Sequence, residues 1–408
     1  MKSNLRLLLG ISLLFGVSTG VYEYILPLFL DAQGISFQNI GIIFALSGLV
    51  MVIARIYMGG LADLWGRKPL YSWALAVCGS ATIITPFLPS LLWQVLLKTF
   101  RDTGTLTRET LYPVILYEEG QSGFLNRIGK FRGVEYMLQA GGTLLAGVVI
   151  RWMNSGGRPV SQSTYQTLFI IAGLVLCLGM VWWSSAFVEP ARQQTQNKIG
   201  IKDLFSFDLH PNLMLILISG IIFTFGMQLS HSFFLQLFFI KHFHTSESTT
   251  SWVMVLHRVT IALPLLIVGN LRLKNLRLWY IAGLIVEGAT LAVSAVLPVF
   301  IWSAAIFLLH DFIGSGIWSP IQATLIQRYS RDETRGMEVG KVLAWSSLGS
   351  IVGPLVAGML AERSTILPFL MSGIMMALAA IPLFWIRTNL PAPSSLPQTT
   401  APVGNVSE

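Results

Sequence analysis

The sequence consists of apolar stretches of about 20 residues that follow one another with short connections. A helix of this length crosses the hydrocarbon core of a bilayer, where every backbone N–H and C=O needs a partner within the protein. Twelve stretches fit, and no connection is long enough to form a soluble domain. The predicted spans are 5–30, 37–60, 70–89, 91–116, 134–153, 166–187, 212–240, 250–270, 278–298, 300–325, 338–361 and 366–386.

The distribution of charge supports a membrane protein. Only 11% of the residues are charged, against about 25% in soluble domains, although the formal net charge is +8. With the N-terminus placed inside, the inner segments carry seventeen Lys and Arg and the outer segments four, which is a strong positive-inside bias. We therefore expect a multi-pass protein of the cell membrane with both termini cytoplasmic, in contact with membrane lipid and not with nucleic acid.

The longest inner connection follows the sixth span, which divides the chain six plus six. It predicts one helical bundle over residues 1–188, a central cytoplasmic loop over 189–211 and a second bundle over 212–386. The tail 387–408 is rich in Pro, Ser and Thr and is predicted to be disordered.

An internal repeat supports the same division. Four short patterns of the first half recur in order in the second, at offsets of 203 to 210 residues. They are Phe15-Gly16 with Phe225-Gly226, Gly59-x-Leu61 with Gly269-x-Leu271, Arg101-Asp102 with His310-Asp311, and Arg132-Gly-x-Glu135 with Arg335-Gly-x-Glu338.

The most specific motif lies between the second and third spans and reads Gly59-Gly-Leu-Ala-Asp63-Leu-Trp-Gly66-Arg67-Lys68. It resembles the loop signature of the major facilitator superfamily, with Leu64 where the family often has Arg. The resemblance implies an all-α membrane protein of twelve transmembrane helices in two six-helix bundles. It also implies that this loop latches the two halves in one state. Asp63 can sit at a helix N-terminus, where the dipole favours an anion.

The first span contains Glu23 four residues before Pro27. This arrangement resembles the first helix of many antiporters of the same family. An ionisable group within a span is costly in lipid and therefore marks a cavity or a proton site. A glutamate that reaches the outer membrane surface is the alternative reading.

The fourth span carries seven polar residues on one helical face. They are Lys98, Arg101, Asp102, Thr105, Arg108, Glu109 and Tyr112. Five charges facing lipid would cost on the order of 12 kcal/mol, so the face is expected to line a watery cavity. Arg101 stands twelve residues before Pro113, a spacing that resembles the family's R-x-x-x-G pattern in helix 4, although Gly104 is one residue early. Lys98 and Asp102 can pair as i,i+4 neighbours, and Arg108 and Glu109 can be interfacial.

The second half offers Glu287, and also His310 beside Asp311, as candidate proton or substrate groups, because His titrates near physiological pH. For His231 and His257 we favour a structural role, with a neighbouring hydroxyl as partner. Gly349, Gly353 and Pro354 resemble the glycine-proline motif that antiporters carry in helix 5, and here they predict close helix packing.

Together these patterns predict a secondary active transporter that moves a small solute by alternating access, coupled to protons, of the drug or metabolite efflux (antiporter) type. Glu23, Asp102 and Asp311 are the expected proton carriers, and Arg101 is the expected clamp for substrate. An alternative is a symporter or uniporter that imports a polar or anionic metabolite. A non-transporting sensor or assembly protein with this fold is the competing class. No catalytic motif, cofactor motif or metal pattern is evident in the sequence, and we expect a monomer.

Overall fold

The computed structural model describes residues 3–118, 124–154, 160–189, 209–230, 232–267, 274–330 and 335–387. Within these ranges the regular structure is helical and contains no strand. The central loop beyond Glu189 and the tail beyond Arg387, for which a disordered state was predicted, lie outside the described residues.

The first group of helices follows the first six predicted spans. Its members are α1 Ser3–Ala32, α2 Phe37–Trp65, α3 Arg67–Ile84 with the 3-10 turn Thr85–Phe87, α4 Leu91–Glu118, α5 Phe124–Met153 and α6 Gln162–Ala186. Local chemistry explains where α6 begins and how the chain turns from α2 into α3. Ser161 caps α6 by accepting from the Thr164 N–H, and Gly66, with a φ of 95°, allows the turn between α2 and α3.

The second group contains more and shorter helices. They are α7 Pro211–Leu229, α8 Ser232–Phe243, α9 Glu247–Ile267, α10 Leu276–Val296, α11 Phe300–Leu309, α12 Gly316–Tyr329, α13 Arg335–Ser346, α14 Gly349–Arg363 and α15 Ile366–Leu378. A π-helical turn, His310–Ser315, joins α11 to α12, and a 3-10 turn, Ile381–Trp385, follows α15.

Three spans predicted as continuous helices are therefore interrupted. The seventh breaks at Ser230, the tenth changes to π-helix at His310, and the eleventh turns between Ser346 and Gly349. At the last break, Ser347 and Ser350 bond by their hydroxyls to backbone carbonyls, of Leu343 and of Ser347. Such side-chain hydrogen bonds compete with the backbone hydrogen bonds of the helix. The spacing of hydrophobic residues in the sequence does not reveal this competition.

Nine segments of the described chain are long and apolar enough to cross a membrane. They are Asn4–Ala32, Phe37–Ala54, Arg67–Phe87, Phe131–Met153, Gln162–Ala186, Pro211–Leu229, Leu276–Val296, Lys341–Arg363 and Ile366–Trp385. Helix α4 is not among them because its charged residues lower its hydropathy. The chain is thus a multi-pass membrane protein, and the count of twelve spans stays a prediction.

The two groups meet along two helix pairs. Helix α5 packs on α9, and α2 packs on α14, while α1 also contacts α8. Glycines make the second pairing close: a Cβ on Gly41 would lie 2.4 Å from the carbonyl oxygen of Pro354, and one on Gly358 would lie 2.7 Å from that of Phe37. Small residues let backbones approach in this way.

One helix crossing appears once in each group. Gly79 of α3 faces Gly173 of α6, where an added Cβ on Gly173 would lie 2.6 Å from the Gly79 carbonyl oxygen. Gly288 of α10 faces Gly373 of α15, where the corresponding distance is 2.4 Å in both directions. Gly79 and Gly288 are 209 residues apart, the same offset as the Arg101 and His310 pairs. The repeat therefore extends to packing that the short motifs did not include.

Aromatic and aliphatic side chains fill the interior of both groups, and large apolar side chains also cover the outside. Trp183 stacks between Tyr71 and Phe187 in the first group, and Phe239 packs on Phe307 in the second. The exposed large apolar residues include Trp152, Leu178, Ile301 and Trp385. An apolar exterior of this extent suits contact with lipid and not with water.

Candidate functional site: buried charges between two helical groups

The polar face of α4 is turned into the protein. Arg101, Arg108 and Tyr112 are buried, Lys98 is nearly so, and Glu109 is exposed. Arg108 is thus fully enclosed, contrary to the expectation of an interfacial position. The reason is its partner on α5, which the α4 sequence alone does not reveal.

Lys98 and Asp102 form an i,i+4 ion pair on this face. The Ser47 hydroxyl of α2 donates to the Asp102 carboxylate at 2.6 Å, and the Lys98 ammonium lies 4.4 Å from the centre of the Phe44 ring. The two charges therefore neutralise each other and hold α2 against α4.

Arg108 forms the most complete ion pair of the first group. Its Nη1 and Nη2 donate to the two oxygens of Glu135 on α5 at 2.7 and 3.1 Å, and Nη2 also donates to the Ser12 hydroxyl of α1 at 2.8 Å. The Phe15 ring lies 4.1 Å from the guanidinium carbon. This fork-to-carboxylate contact joins three helices and is of the strong, bidentate kind.

Arg101 has different surroundings. Its Nε donates to the Thr82 hydroxyl at 3.2 Å, its Nη2 donates to the Thr19 hydroxyl at 3.4 Å, and its guanidinium carbon lies 3.6 Å from the centre of the Tyr22 ring. All three partners are neutral.

The second group brings together His257 of α9 with His310 and Asp311 of the π-helical turn. The Asp311 carboxylate contacts His257 Nδ1 on one side and lies 3.4 Å from His310 Nε2 on the other. His310 Nδ1 is hydrogen-bonded to the Phe307 carbonyl. A π-turn is rare and often lies at a functional site. His257 contacts an acid here, so the expected hydroxyl partner is wrong.

Glu287 of α10 is buried close to this cluster. It accepts a hydrogen bond from the Trp318 indole N–H of α12, and the backbone of Gly314 lies so near that an added Cβ would be 2.6 Å from the Glu287 Cβ. Among the described residues no cation lies within 4.0 Å of its carboxylate.

The described residues contain one group that could hold a metal ion. His257, His310 and Asp311 offer three ligand atoms within 4.8 Å of one another. Structural zinc sites use four ligands. Since the Asp311 carboxylate already contacts both imidazoles, we interpret this group as an ion-pair cluster.

Glu23 connects the two groups of helices. Its carboxylate pairs with Arg258 of α9, whose Nη1 also donates to the Gln139 side chain of α5 at 2.7 Å. The carboxylate remains about one third exposed, at 33%. The structure thus places Glu23 at the interface between the two groups.

Further polar contacts join the groups where α1 ends and α2 begins, which we term the closed end. Asp31 pairs with Lys241 of α8, and the Tyr24 hydroxyl donates to the Glu247 carbonyl. The Gln38 N–H donates to the Glu362 carboxylate at 3.1 Å.

The predicted latch loop is only partly described. The backbone of Gly59 and Asp63 belongs to α2, but the side chains of residues 55–64 lie outside the described residues, as does that of His231. The N–H groups of Arg67 and Lys68 each donate to the Glu189 carboxylate at 2.8 Å. An acid at the end of α6 therefore satisfies the orphan N–H groups that begin α3.

The small residues of α14 lie against α7. An added Cβ on Gly349 would be 2.3 Å from the Phe225 nitrogen, and one on Gly353 would be 2.5 Å from the Gln228 Cβ. Pro354 instead faces Gly41 of α2, on the first group.

Two residues of the buried ion pairs were not predicted as site residues from the sequence. Glu135 appeared only as part of a repeated pattern, and that recurrence was the available signal for a role. Arg258 was not among the predicted site residues, because its pairing with Glu23 depends on the approach of α9 to α1 and α5.

The family model described as the Major Facilitator Superfamily matches residues 216–406. Solved transporters have the same fold over nearly the whole chain. A mutant of the nucleoside transporter NupG is 14% identical, with 94% of this chain and 100% of that one covered, at a TM-score of 0.75. A bacterial homologue of the human lysosomal transporter Spinster, inward-facing and occupied, is 14% identical, with coverages of 93% and 95% and a TM-score of 0.72.

The same Spinster homologue in its inward-facing, unoccupied state gives a TM-score of 0.68, at 14% identity with coverages of 93% and 94%. No curated protein matches the sequence. The family model thus matches the second group of helices, and the solved transporters share the fold of nearly the whole chain.

Proposed function

We propose that the protein is a secondary active transporter that moves a small solute by alternating access, driven by protons. The observation that carries the proposal is the interface between the two helical groups. It contains buried charges, and an acid of one group is paired with a base of the other, Glu23 with Arg258. In this superfamily substrate binds near the bilayer midplane between the two halves. The two moving halves would be residues 1–188 and 212–386.

The proton role is assigned to three acids, Glu287, Asp311 and Glu23. Glu287 is buried with an indole N–H as its partner, and Asp311 lies between two imidazoles. Protonation removes the cost of holding a carboxylate charge inside a membrane protein, and imidazole exchanges protons near neutral pH. Asp102 already has a cation and a hydroxyl as partners, so we assign it to positioning Lys98 and α2.

Glu23 is the acid that can link proton uptake to movement. Protonating its carboxylate would weaken the ion pair with Arg258, which holds α1 of the first group to α9 of the second. The closed end would then be held by its remaining contacts, such as Asp31 with Lys241. This supports a cycle in which proton binding and opening of the closed end are coupled.

The direct test uses purified protein in liposomes that enclose a pH-sensitive dye. A thermal-shift screen first identifies solutes that stabilise the protein, and each is then added under an imposed pH gradient. We expect solute movement that requires the gradient, with proton flux in the same direction for a symporter and in the opposite direction for an antiporter. Solute movement that ignores the gradient would remove proton coupling while leaving the transporter.

Alternating access is tested by cross-linking the closed end. In an Asp31→Cys/Lys241→Cys variant, a short bis-maleimide should join the two groups and stop transport. The matched control is Asn4→Cys/Val188→Cys, because the Asn4 amide donates to the Val188 carbonyl at 3.0 Å within the first group. Linking that pair should leave transport intact. Unchanged transport in the first variant, with the cross-link verified, would refute the rocking cycle.

A further inference from the structure

Arg101 is a buried cation whose charge the described residues leave uncompensated. The residue is only 2% exposed, and the partners of its guanidinium are the hydroxyls of Thr19 and Thr82 and the ring of Tyr22. No carboxylate of the described residues lies within 4.0 Å of it.

The neighbouring cations are all neutralised. Lys98 pairs with Asp102, Arg108 pairs with Glu135, and Arg258 pairs with Glu23. Arg101 is therefore the cation of α4 that has no acid partner among the described residues. A charge taken out of water without a partner is strongly unfavourable, so a negatively charged ligand at this place would be favoured over a neutral one.

The terminal nitrogens of Arg101 keep N–H donors that the described residues do not fully use. Tyr22 covers one face of the group, and Nε is held by Thr82, whose own hydroxyl proton goes to the Cys78 carbonyl at 2.7 Å. Within the described part of the chain Nη1 makes no hydrogen bond, and Nη2 makes a long one to Thr19 at 3.4 Å. Two parallel N–H donors are the arrangement that matches a carboxylate.

We propose that Arg101 binds the carboxylate of the transported solute, which makes the substrate class a monoanionic organic acid. The inference rests on the transport function proposed above, because the solute must enter between the two groups. A single charge is favoured over a phosphate ester, which carries about −1.5 to −2 and would need a second cation. Lys98 and Arg258 already have acids as partners.

Binding to the purified full-length protein tests this directly. The probes are acetate, benzoate, nicotinate and lactate, each compared with its neutral amide, and phenyl phosphate as a doubly charged comparison. We expect at least one carboxylate to raise the melting temperature while its amide does not. Calorimetry should then give binding about tenfold weaker, or more, in Arg101→Gln, since hydrogen bonds to charged groups are the strong ones.

Two further variants separate recognition from folding. Arg101→Lys keeps the charge but loses the fork, so its affinity should fall between those of the wild type and Arg101→Gln. Arg132→Gln removes an exposed cation of the same group and should leave the affinity unchanged. Without ligand, Arg101→Gln should melt at the same temperature as the wild type or higher, because it removes an uncompensated buried charge.

Several results would overturn the proposal: no carboxylate binds, the amides bind equally well, or Arg101→Gln binds as the wild type does. Tighter binding of phenyl phosphate would contradict the single-charge assignment. The transport proposal fails separately. A neutral or cationic solute that is driven by a pH gradient independently of Arg101 would keep the transporter and discard this site. A carboxylate that binds through Arg101 but never crosses the membrane would keep the Arg101 site and contradict transport of that solute.

Discussion

The two groups of helices share a packing scheme but bury charge of different kinds. In the first group, α4 carries three cations, Lys98, Arg101 and Arg108. Two acids, Asp102 and Glu135, pair with Lys98 and Arg108. The second group holds Glu287, which has no cation beside it among the described residues, and Asp311 between two imidazoles.

The contrast shows which part of the internal repeat is structural. The crossing of Gly79 with Gly173 recurs as that of Gly288 with Gly373, so backbone contact is repeated. At the same offset, Arg101-Asp102 of α4 is replaced by His310-Asp311 of the π-helical turn. A fixed cation suits ligand recognition and an imidazole-carboxylate pair suits proton exchange. The proposed solute site therefore lies in the first group, while two of the three proposed proton carriers, Glu287 and Asp311, lie in the second.

The largest expected effect is the loss of the Arg108–Glu135 ion pair. Arg108→Gln should lower the free energy of unfolding by about 3–5 kcal/mol, because it leaves a buried carboxylate without its partner. The measurement is denaturation in mixed detergent micelles. The Arg108→Gln/Glu135→Gln double variant should lose less than the sum of the single variants. A loss below about 1 kcal/mol, typical of exposed pairs, would contradict the structure here.

Exchange of Glu287 for Gln tests the acidic side of the comparison. The amide can still accept from the Trp318 indole, so we expect the protein to fold with little change in melting temperature. Gradient-driven transport should fall about tenfold or more, while exchange of solute across liposomes without a gradient persists. Equal losses in both assays would assign Glu287 to solute binding instead.

Closely packed glycines test whether the two groups are built alike. Gly79→Ala and Gly288→Ala should each cost about 1–3 kcal/mol, because the added methyl group would overlap the facing helix. The matched control is Gly141→Ala, where nothing lies within 4 Å of the added Cβ and a helical Ala is favoured over Gly by up to about 1 kcal/mol. Tolerance of either packed variant, judged by the same denaturation assay, would show that the crossing is looser than described.

The smallest expected change in stability comes from the pair that joins the two groups. Glu23→Gln should alter the free energy of unfolding by no more than about 1 kcal/mol, because this carboxylate is one third exposed. It should instead increase maleimide labelling of a cysteine at position 38, which lies at the closed end next to Glu362. Labelling that stays at the wild-type rate would remove the assigned link between Glu23 and opening.

Sequence patterns were sufficient for the helical class, for the fold and for the direction of the α4 face. Apolar length and the cost of charge in lipid determine these features without knowledge of neighbours. The partners were not predictable in the same way. Arg108 lies 27 residues from Glu135, and Glu23 lies 235 residues from Arg258. Which charges meet depends on helix crossing points, and these are set by backbone contacts at glycine.

Helix interruptions were also missed, for a local reason. Hydropathy averages over a whole span, whereas a break depends on single hydroxyls, as at Ser347, or on one additional residue in a turn, as at His310. The hydrogen bonds from the start of α3 to Glu189 were not predictable either, because they join the segment after the sixth span to the loop after the second.

The π-helical turn at His310–Ser315 gives the second group a means of adjustment that a regular helix lacks. A wide turn of this kind accommodates one surplus residue, and an α-helix advances about 100° per residue. If this additional residue moved along the helix by one turn, the side chains of His310 and Asp311 would point in another direction around the helix axis. Both ends of the helix would stay in place. The proposed proton carriers would then change their surroundings through a local change in helix winding, in addition to any rigid-body tilt.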